Sequence, residues 1–284
     1  MIRWSGGIAL LACSLAAASA GARGPAGGVL ARYDLAAPPA DRWQLPKELD
    51  EISGLASDRS GRIFAHGDER AIIYQLDPAT HRIVKRFSFG RPPAHGDFEA
   101  IAFAGERLIL STSDGILYVG SEGRDGEAVP YAVQATGVGG RCEVEGLAYA
   151  EADRSLLLAC KTPRTTALRG RIAMFAWSIE RRALAPAPRL FLPLAPVAAA
   201  ARASSFHPSE LVRDPATGHF LLLAARERAI AELAPDGRVV QVSRLRHSLH
   251  RQPEGLAVAP DGALLVADEA NGRRATLTVY PRSR

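Results

Sequence analysis

The stretch His207-Pro-Ser-Glu210-Leu-Val212 and four relatives of it decide the fold of this chain. The relatives are Leu49-Asp-Glu51-Ile-Ser53-Gly-Leu-Ala56, His95-Gly-Asp97-Phe-Glu99-Ala-Ile-Ala102, Arg141-Cys-Glu143-Val-Glu145-Gly-Leu-Ala148 and Arg251-Gln-Pro-Glu254-Gly-Leu-Ala-Val258. In register they share one position ahead of a short apolar strand, which we call the glutamate column: Ser53, Glu99, Glu145, Glu210 and Glu254. Its members are 46, 46, 65 and 44 residues apart. A strand-rich repeat of this period is typical of four-stranded propeller blades.

Each repeat contains short apolar runs separated by turn residues, such as Asp58-Arg-Ser-Gly61 in the first unit. The fifth unit ends after three strands, and Val29–Leu35 is the unassigned segment that we expect to complete it and close the ring. The sequence therefore predicts an all-β fold: a five-bladed β-propeller of four-stranded blades, closed by an N-terminal strand, in a single domain over residues 29–284. A six-bladed ring is the alternative, if the long third unit hides another blade.

The third unit is longer than the others by roughly twenty residues, a length that in compact domains often forms functional loops. The extra residues fall in the loop from Thr162 to Arg171 and in the Ala/Pro-rich stretch from Pro193 to Ser205. Within the second stretch, Val197–Arg202 is expected to form a helical turn or two. This insertion precedes His207 and is best placed to cover one face of the ring.

The N-terminus has the pattern of an export signal. A short positive start, Met1-Ile-Arg3, precedes an apolar run, and Ala18-Ser-Ala20 is typical of a cleavage site. Residues 1–20 are therefore predicted to be a signal peptide and residues 21–28 a flexible leader. The alternative is a lipoprotein signal ending before Cys13, whose thiol would carry the lipid. Either way we expect an exported protein of the periplasm or cell envelope.

Composition narrows the classes of partner. The chain is 47% hydrophobic and 23% charged, ordinary for a globular protein, and its net charge is +5. The arginines are scattered through turns and strand ends, which argues against nucleic-acid binding. We expect a monomer that meets the membrane only through its signal or lipid anchor, and whose partner is a small ligand or an envelope protein.

Cys142 and Cys160 come just before and at the end of two successive predicted strands of the third unit. In an oxidising compartment a hairpin would bring them close enough for a disulfide. The other interpretation is two small buried side chains.

In a propeller the innermost strand of each blade runs along the central axis, so the residues just before those strands meet at one mouth of the channel. Four carboxylates are predicted to converge there, and they are the candidate metal ligands: Glu99, Glu145, Glu210 and Glu254. A second ring of mostly charged residues is expected around them: Glu51, Asp68, Asp97, Asp114, Glu143, Lys161, His207, Arg226 and Glu269. Crowded carboxylates require protons or cations, and calcium suits a flexible all-oxygen site.

Two other interpretations of the mouth stay open. The glutamates can be bonded to backbone N–H groups or paired with Lys161, Arg226 and Arg141. Alternatively, two of them act as an acid/base pair on a substrate, with His207 as a candidate base. The chain has neither a HExxH zinc pattern nor a GxSxG nucleophile motif.

The repeated motifs resemble those of the SdiA-regulated (YjiK-like) bacterial propellers over most of residues 45–280. The segments that carry the resemblance are Asp97-Phe-Glu-Ala-Ile-Ala102, Glu143-Val-Glu-Gly-Leu-Ala148, Gln252-Pro-Glu-Gly-Leu-Ala-Val-Ala-Pro-Asp-Gly262 and Asp268-Glu-Ala-Asn271. The resemblance implies an envelope-associated propeller with a calcium site and no settled activity. The D-x-E-G-I-A pattern of esterase-like phytase propellers is also similar, although Ala100 stands where that pattern has glycine.

We therefore expect an exported binding module with an acidic, calcium-binding central mouth. The alternative is a metal-dependent hydrolase of esters, lactones or phosphoesters, which would need a cation with an open coordination position and a nearby base.

Overall fold

The computed structural model describes Met1 and residues 28–283 and has five small β-sheets arranged as the blades of a five-bladed propeller. Residues 2–20 of the predicted signal peptide, Cys13 among them, and residues 21–27 of the leader lie outside the described residues. The six-bladed alternative is wrong, because the extra residues of the third unit add only short segments to the third sheet. No helix within the described part of the chain is long and apolar enough to cross a membrane.

The strands follow the chain from blade to blade. One strand precedes the first blade: β1 (Asp41–Gln44). Blade one contains β2 (Ile52–Ser57), β3 (Ile63–Gly67), β4 (Ile72–Asp77) and β5 (Arg82–Phe89). Blade two contains β6 (Phe98–Ala104), β7 (Arg107–Thr112), β8 (Ile116–Ser121) and, after the short β9 (Ala128–Val129), β10 (Tyr131–Ala135). The β9 segment pairs in parallel with β5 of blade one.

The third blade carries the insertion. It contains β11 (Cys142–Ala150), β12 (Ser155–Pro163), β13 (Arg171–Ser178), β14 (Ala183–Leu184) and β15 (Leu190–Pro193), followed by helix α1 (Leu194–Ala200). Blade four contains β16 (Glu210–Arg213), β17 (Phe220–Ala224), β18 (Ala229–Leu233) and β19 (Val239–Arg244). Blade five contains β20 (Pro253–Val258), β21 (Leu264–Asp268) and β22 (Thr276–Tyr280). The predicted helical turn is confirmed, and it begins three residues earlier than expected.

Short 3-10 helices connect some of these elements: Leu30–Arg32, Lys47–Leu49, Val138–Gly140, Glu151–Asp153 and Thr166–Leu168. The innermost strands are β2, β6, β11, β16 and β20, and each lies against the innermost strands of the two neighbouring blades. This ring of five strands surrounds the axis and positions the glutamate column.

Each pair of neighbouring blades encloses its own apolar core. Five buried clusters fill the five interfaces, for example Phe64, Phe87 and Phe98 between blades one and two. Because both faces of a blade are covered, the second strands have continuous apolar runs, and every residue of β17 is apolar and buried. The hydrophobic effect across these interfaces therefore holds the ring together.

Closure by an N-terminal strand is confirmed, but the segment predicted to provide it was wrong. The closing strand is β1, which pairs antiparallel with β22 and places Trp43 in the interface between blades five and one. Strand β1 is three-quarters polar and carries little strand signal, because it is the outermost strand and only Trp43 points inward.

Residues 29–35, the predicted closing strand, instead form a wedge between blades four and five. Val29, Leu30, Tyr33 and Leu35 are buried there. The wedge is held by Glu232, a fully buried residue of β18 whose carboxylate accepts hydrogen bonds from the N–H groups of Val29 (2.7 Å) and Leu30 (2.8 Å).

Glu232 also binds His219 Nδ1 at 2.6 Å, so replacing it with alanine leaves three buried or half-buried groups without their partner. We predict that Glu232→Ala lowers the free energy of unfolding by about 4 kcal/mol or more, since three bonds are lost and each bond to a carboxylate contributes on the order of 1.5–3 kcal/mol. Urea denaturation measures this change.

The matched control is Glu180→Ala, which removes only an exposed ion pair with Arg154 and should cost less than about 1 kcal/mol. Equal losses in the two variants would contradict the anchoring role of Glu232.

Candidate functional site

A β-bulge aims most of the glutamate column toward the axis. In four blades the register between the first and second strands shifts at the column residue, which has no partner across the ladder: Ser53, Glu99, Glu145 and Glu254. A bulge inserts one unpaired residue and redirects its side chain, a device that is frequent beside functional sites. Glu210 differs because it pairs with Leu223 at the start of β16.

The bulges open on a small cavity of about 140 Å³ at one end of the central channel. We call it the acidic mouth, and the residues that line it are Glu51, Ile52, Ser53, Asp68, Glu99, Glu145, Lys161, Glu254 and Glu269. The structure therefore brings together three of the four predicted metal ligands and four members of the predicted second ring. One lysine faces six carboxylates.

The other predicted site residues lie outside the acidic mouth and have their own surroundings. Asp97 accepts a hydrogen bond from Ser113 Oγ, and Asp114 pairs with Arg164 at 2.7 Å. Glu143 is half-buried and Arg226 is exposed. The insertion does not cover the mouth, since no residue of 193–205 lines it.

Lys161 and Glu145 form an ion pair inside the mouth. The two residues sit on neighbouring strands, and each is skipped by the β11–β12 ladder, so a pair of opposed bulges turns both side chains inward. Burial disfavours the charge on Lys161, yet the hydrogen bond and charge of Glu145, with Glu254 and Glu99 nearby, hold the pKa of Lys161 above its usual value. Lys161 is thus the internal counter-ion of the mouth.

Within residues 28–283 the remaining carboxylates of the mouth have no cationic partner of their own, although Gln252 Nε2 donates a hydrogen bond to Glu269. Glu99 accepts one long hydrogen bond, from Ser53 Oγ at 3.4 Å. Burial, and then the charge of Glu145, raise the pKa of Glu99 to about 8, while burial raises the pKa of Glu254 to about 7 against the attraction of Lys161. Burial also raises the pKa values of Asp68 and Glu269. The mouth therefore binds protons near neutral pH and has oxygen atoms free for another cation.

Glu210 does not line the mouth and is almost completely buried. Its Oε1 atom accepts a hydrogen bond from the Leu211 N–H at 2.9 Å, whereas Oε2 has no partner. Burial raises its pKa well above the usual range, although the backbone amides of Leu211, Leu55 and Leu147 favour the charged form. The bond from Leu211 comes from the same strand, so the interpretation in which the glutamates bind backbone N–H groups of neighbouring blades stays open.

His66 and Glu210 both have a side-chain atom close to Gly54. The Nδ1 atom of His66 bonds the carbonyl oxygen of Gly67 at 2.9 Å and therefore carries the hydrogen, which leaves Nε2 as a bare acceptor without a partner. This atom and Oε2 of Glu210 both lie close to the position that a Cβ atom on Gly54 would occupy. His66 Nε2 is 2.5 Å from that position and Glu210 Oε2 is 3.3 Å from it. Burial lowers the pKa of His66 to about 4, so the ring is neutral. His66 Nε2 and Glu210 Oε2 are both buried acceptors without a hydrogen-bond partner among the described residues.

Cys142 and Cys160 are both buried on neighbouring strands beside Lys161, and both thiols are free. The thiol of Cys142 contacts that of Cys160, and this contact, with burial, raises the pKa of Cys160. The disulfide stays a prediction, which thiol counting in denaturant on oxidised protein decides.

A second, larger cavity of about 1000 Å³ lies at the other end of the inner strands. Several of its charged groups are paired with one another: Arg62 with Asp58 and Glu122, Lys85 with Glu122, and Arg59 with Glu151. This cavity therefore mixes basic and acidic groups, whereas the acidic mouth has one lysine among six carboxylates.

Sequence reasoning missed the partners of two histidines. His250 is fully buried and hydrogen-bonded to both Asp268 and Tyr280. His207, a member of the predicted second ring, is held by Glu227, a turn residue outside every repeated motif. The sequence does not indicate any of these three pairings, because the contacts join residues 18 to 30 positions apart only after the blades fold.

Comparison with known proteins establishes the fold and nothing finer. No protein family and no curated protein matches the chain. Glutaminyl cyclase from Myxococcus xanthus has a similar structure, with a TM-score of 0.59 and 17% sequence identity, over 87% of this chain and 97% of that one. A luciferin-regenerating enzyme matches with a TM-score of 0.52 and 8% identity, over 87% of this chain and 98% of that one.

The raised pKa values predict how stability depends on pH. Glu99 and Glu254 have an ordinary pKa of 4.5 when unfolded and about 8 and about 7 when folded. Between these pKa values the folded state binds more protons than the unfolded state. The contribution of Glu99 and Glu254 to stability is therefore fully present below pH 4.5 and is lost as the pH rises to about 8. With a metal chelator present, we expect the Tm to drop by about 5 °C or more between pH 5 and pH 8.

The glutamine of Glu99→Gln has no proton to lose, so the Tm of this variant should change less with pH than that of wild type. The Tm of Glu180→Gln should change with pH as wild type does. Scanning calorimetry across the pH range gives the comparison, and identical pH profiles for wild type and Glu99→Gln would contradict the assignment.

Proposed function

We propose that this chain is an exported or envelope-associated binding propeller that takes a small cation in its acidic mouth, and that calcium is the ion its donors suit. One observation carries the proposal: six carboxylates line a single small cavity and only Lys161 neutralises them. The propeller fold and the resemblance to SdiA-regulated propellers are compatible with it.

The oxygen atoms that line the mouth are the type of ligand that calcium prefers. Carboxylates and the Ser53 hydroxyl supply oxygen only, and calcium accepts six to eight oxygens in flexible geometry. Among residues 28–283 no group of three or more His, Cys, Asp or Glu side chains has the spacing of a formed metal site. Binding therefore requires the side chains of Glu99 and Glu254 to close on the ion, with protons released as they do so.

A calcium titration monitored by Tm tests this proposal. A ligand that binds only the folded state stabilises it by about 2.7 kcal/mol at roughly one hundred times its Kd. We expect wild type to be stabilised by calcium and the double variant Glu99→Gln/Glu254→Gln to lose the response.

Glu180→Gln serves as the matched control, since it removes one carboxylate of an exposed ion pair outside the mouth. An unchanged Tm in wild type, or the same shift in the double variant, would sink the proposal.

Export is part of the proposal and has its own test. We expect mature protein recovered from an envelope fraction to begin at Gly21, or at a lipid-modified Cys13 if the lipoprotein signal is used. Intact mass and N-terminal sequencing distinguish the two products. A full-length chain starting at Met1 in the soluble fraction would refute export.

A further inference from the structure

Several histidines in the described part of the chain bind carboxylates through one ring nitrogen. They are His81 with Asp41, His207 with Glu227, His219 with Glu232 and His250 with Asp268. In two of these pairs the second ring nitrogen lies against a hydroxyl group, from Ser205 for His207 and from Tyr280 for His250. Both arrangements line up a carboxylate, an imidazole and a hydroxyl.

Exposure separates the two arrangements. The His250 side chain is 0% exposed, so its network with Asp268 and Tyr280 is closed to any substrate and is structural. The His207 side chain is 30% exposed, and its partner Glu227 is 8% exposed. Of the two, only the arrangement at His207 combines a fixed imidazole with access for a ligand.

Glu227 holds His207 by two bonds. Its Oε1 atom lies 2.7 Å from His207 Nδ1, and its Oε2 atom accepts the backbone N–H of His207 at 3.0 Å. A carboxylate only accepts, so Nδ1 carries the hydrogen and Nε2 presents its lone pair. Glu227 sits in the turn between β17 and β18, which the Arg228 N–H to Ala225 carbonyl bond closes at 3.1 Å. The imidazole is therefore fixed in the tautomer of a general base.

Ser205 lies on the lone-pair side of His207. Its Oγ atom is 3.4 Å from His207 Nε2, within the looser range of nucleophile–base pairs before substrate binds. Phe206, between the two residues, is buried in the core of blades three and four and anchors both. Ser205 is also the last residue of the insertion that follows β15, so the longest insertion in the chain delivers this hydroxyl to His207.

We propose that Ser205, His207 and Glu227 form a nucleophilic site that hydrolyses small carboxylic esters. Ser205 Oγ attacks the ester carbonyl carbon while its proton passes to His207 Nε2. The C–O bond to the alcohol breaks, and His207 returns the proton to the departing alcohol. Water then attacks the acyl-serine with His207 again as base, releasing the carboxylic acid and restoring the Ser205 hydroxyl.

The three residues have distinct roles. Ser205 and His207 touch the reacting atoms and are the catalytic residues, whereas Glu227 is a positioning residue that fixes the tautomer of His207. None of the three lines the acidic mouth, so this activity is independent of cation binding. Esters are the expected class because their alcohols leave with less assistance than the amine of an amide.

A fluorophosphonate probe, which reacts with activated serines, tests the site on the intact protein. We expect wild type to be labelled at Ser205, as mapped by peptide mass spectrometry, and to hydrolyse p-nitrophenyl acetate. Ser205→Ala should abolish both signals, and His207→Gln should slow labelling by about 100-fold. Ser204→Ala, which removes the neighbouring exposed hydroxyl, is the matched control and should behave like wild type.

A Ser205→Cys variant separates catalysis from a merely structural role. A thiol beside an activating imidazole is partly ionised, so we expect a thiolate absorbance at neutral pH and rapid alkylation at position 205. Adding His207→Gln or Glu227→Gln should remove both signatures while the Tm stays close to that of Ser205→Cys. Absence of labelling in folded wild type, labelling that survives Ser205→Ala, or a thiolate signal indifferent to His207 would each overturn the proposal.

Discussion

The burial of both faces of every blade is the constraint on which the rest of this structure depends. A four-stranded sheet with two apolar faces has no stable free form in water, so each blade requires a neighbour on each side. The ring satisfies this requirement only when it closes, and β1 provides the closure by pairing with β22. The wedge around Leu30 and Tyr33, anchored on Glu232, fills the interface between blades four and five.

The closure of the ring also produces the unusual electrostatics of the acidic mouth. Inner strands packed around a narrow channel bring acidic bulge residues within reach of one another and away from water. Desolvation then favours protonated carboxyl groups at Glu99 and Glu254, and it makes the charge of Lys161 dependent on Glu145. The acidic mouth is thus a product of fold and charge together, and the cation binding that we propose for it rests on carboxylates with too few partners.

Repetition made much of this predictable. The spacing of Glu99 and Glu145 and the acids that precede most of the apolar runs indicate five blades and one mouth. The mouth does contain Glu99, Glu145, Glu254 and Lys161. Prediction failed where no repeat constrains the chain: Val29–Leu35 has the alternation of a strand but binds a buried carboxylate, and polar β1 closes the ring because only Trp43 needs an apolar surface.

The sequence alone determined the number of blades, the end of the channel at which the acids gather and the place of the insertion, because a repeated pattern of burial leaves a periodic trace in the chain. The tertiary structure decided which acids remain unpaired and that Glu210 is buried outside the mouth while Glu99, Glu145 and Glu254 line it. It also decided that Ser205, His207 and Glu227 contact one another. Those outcomes depend on bulges, turns and contacts between segments that share no periodic pattern. They are not readable from the sequence because the partner of a side chain is determined by the residues that the fold places next to it.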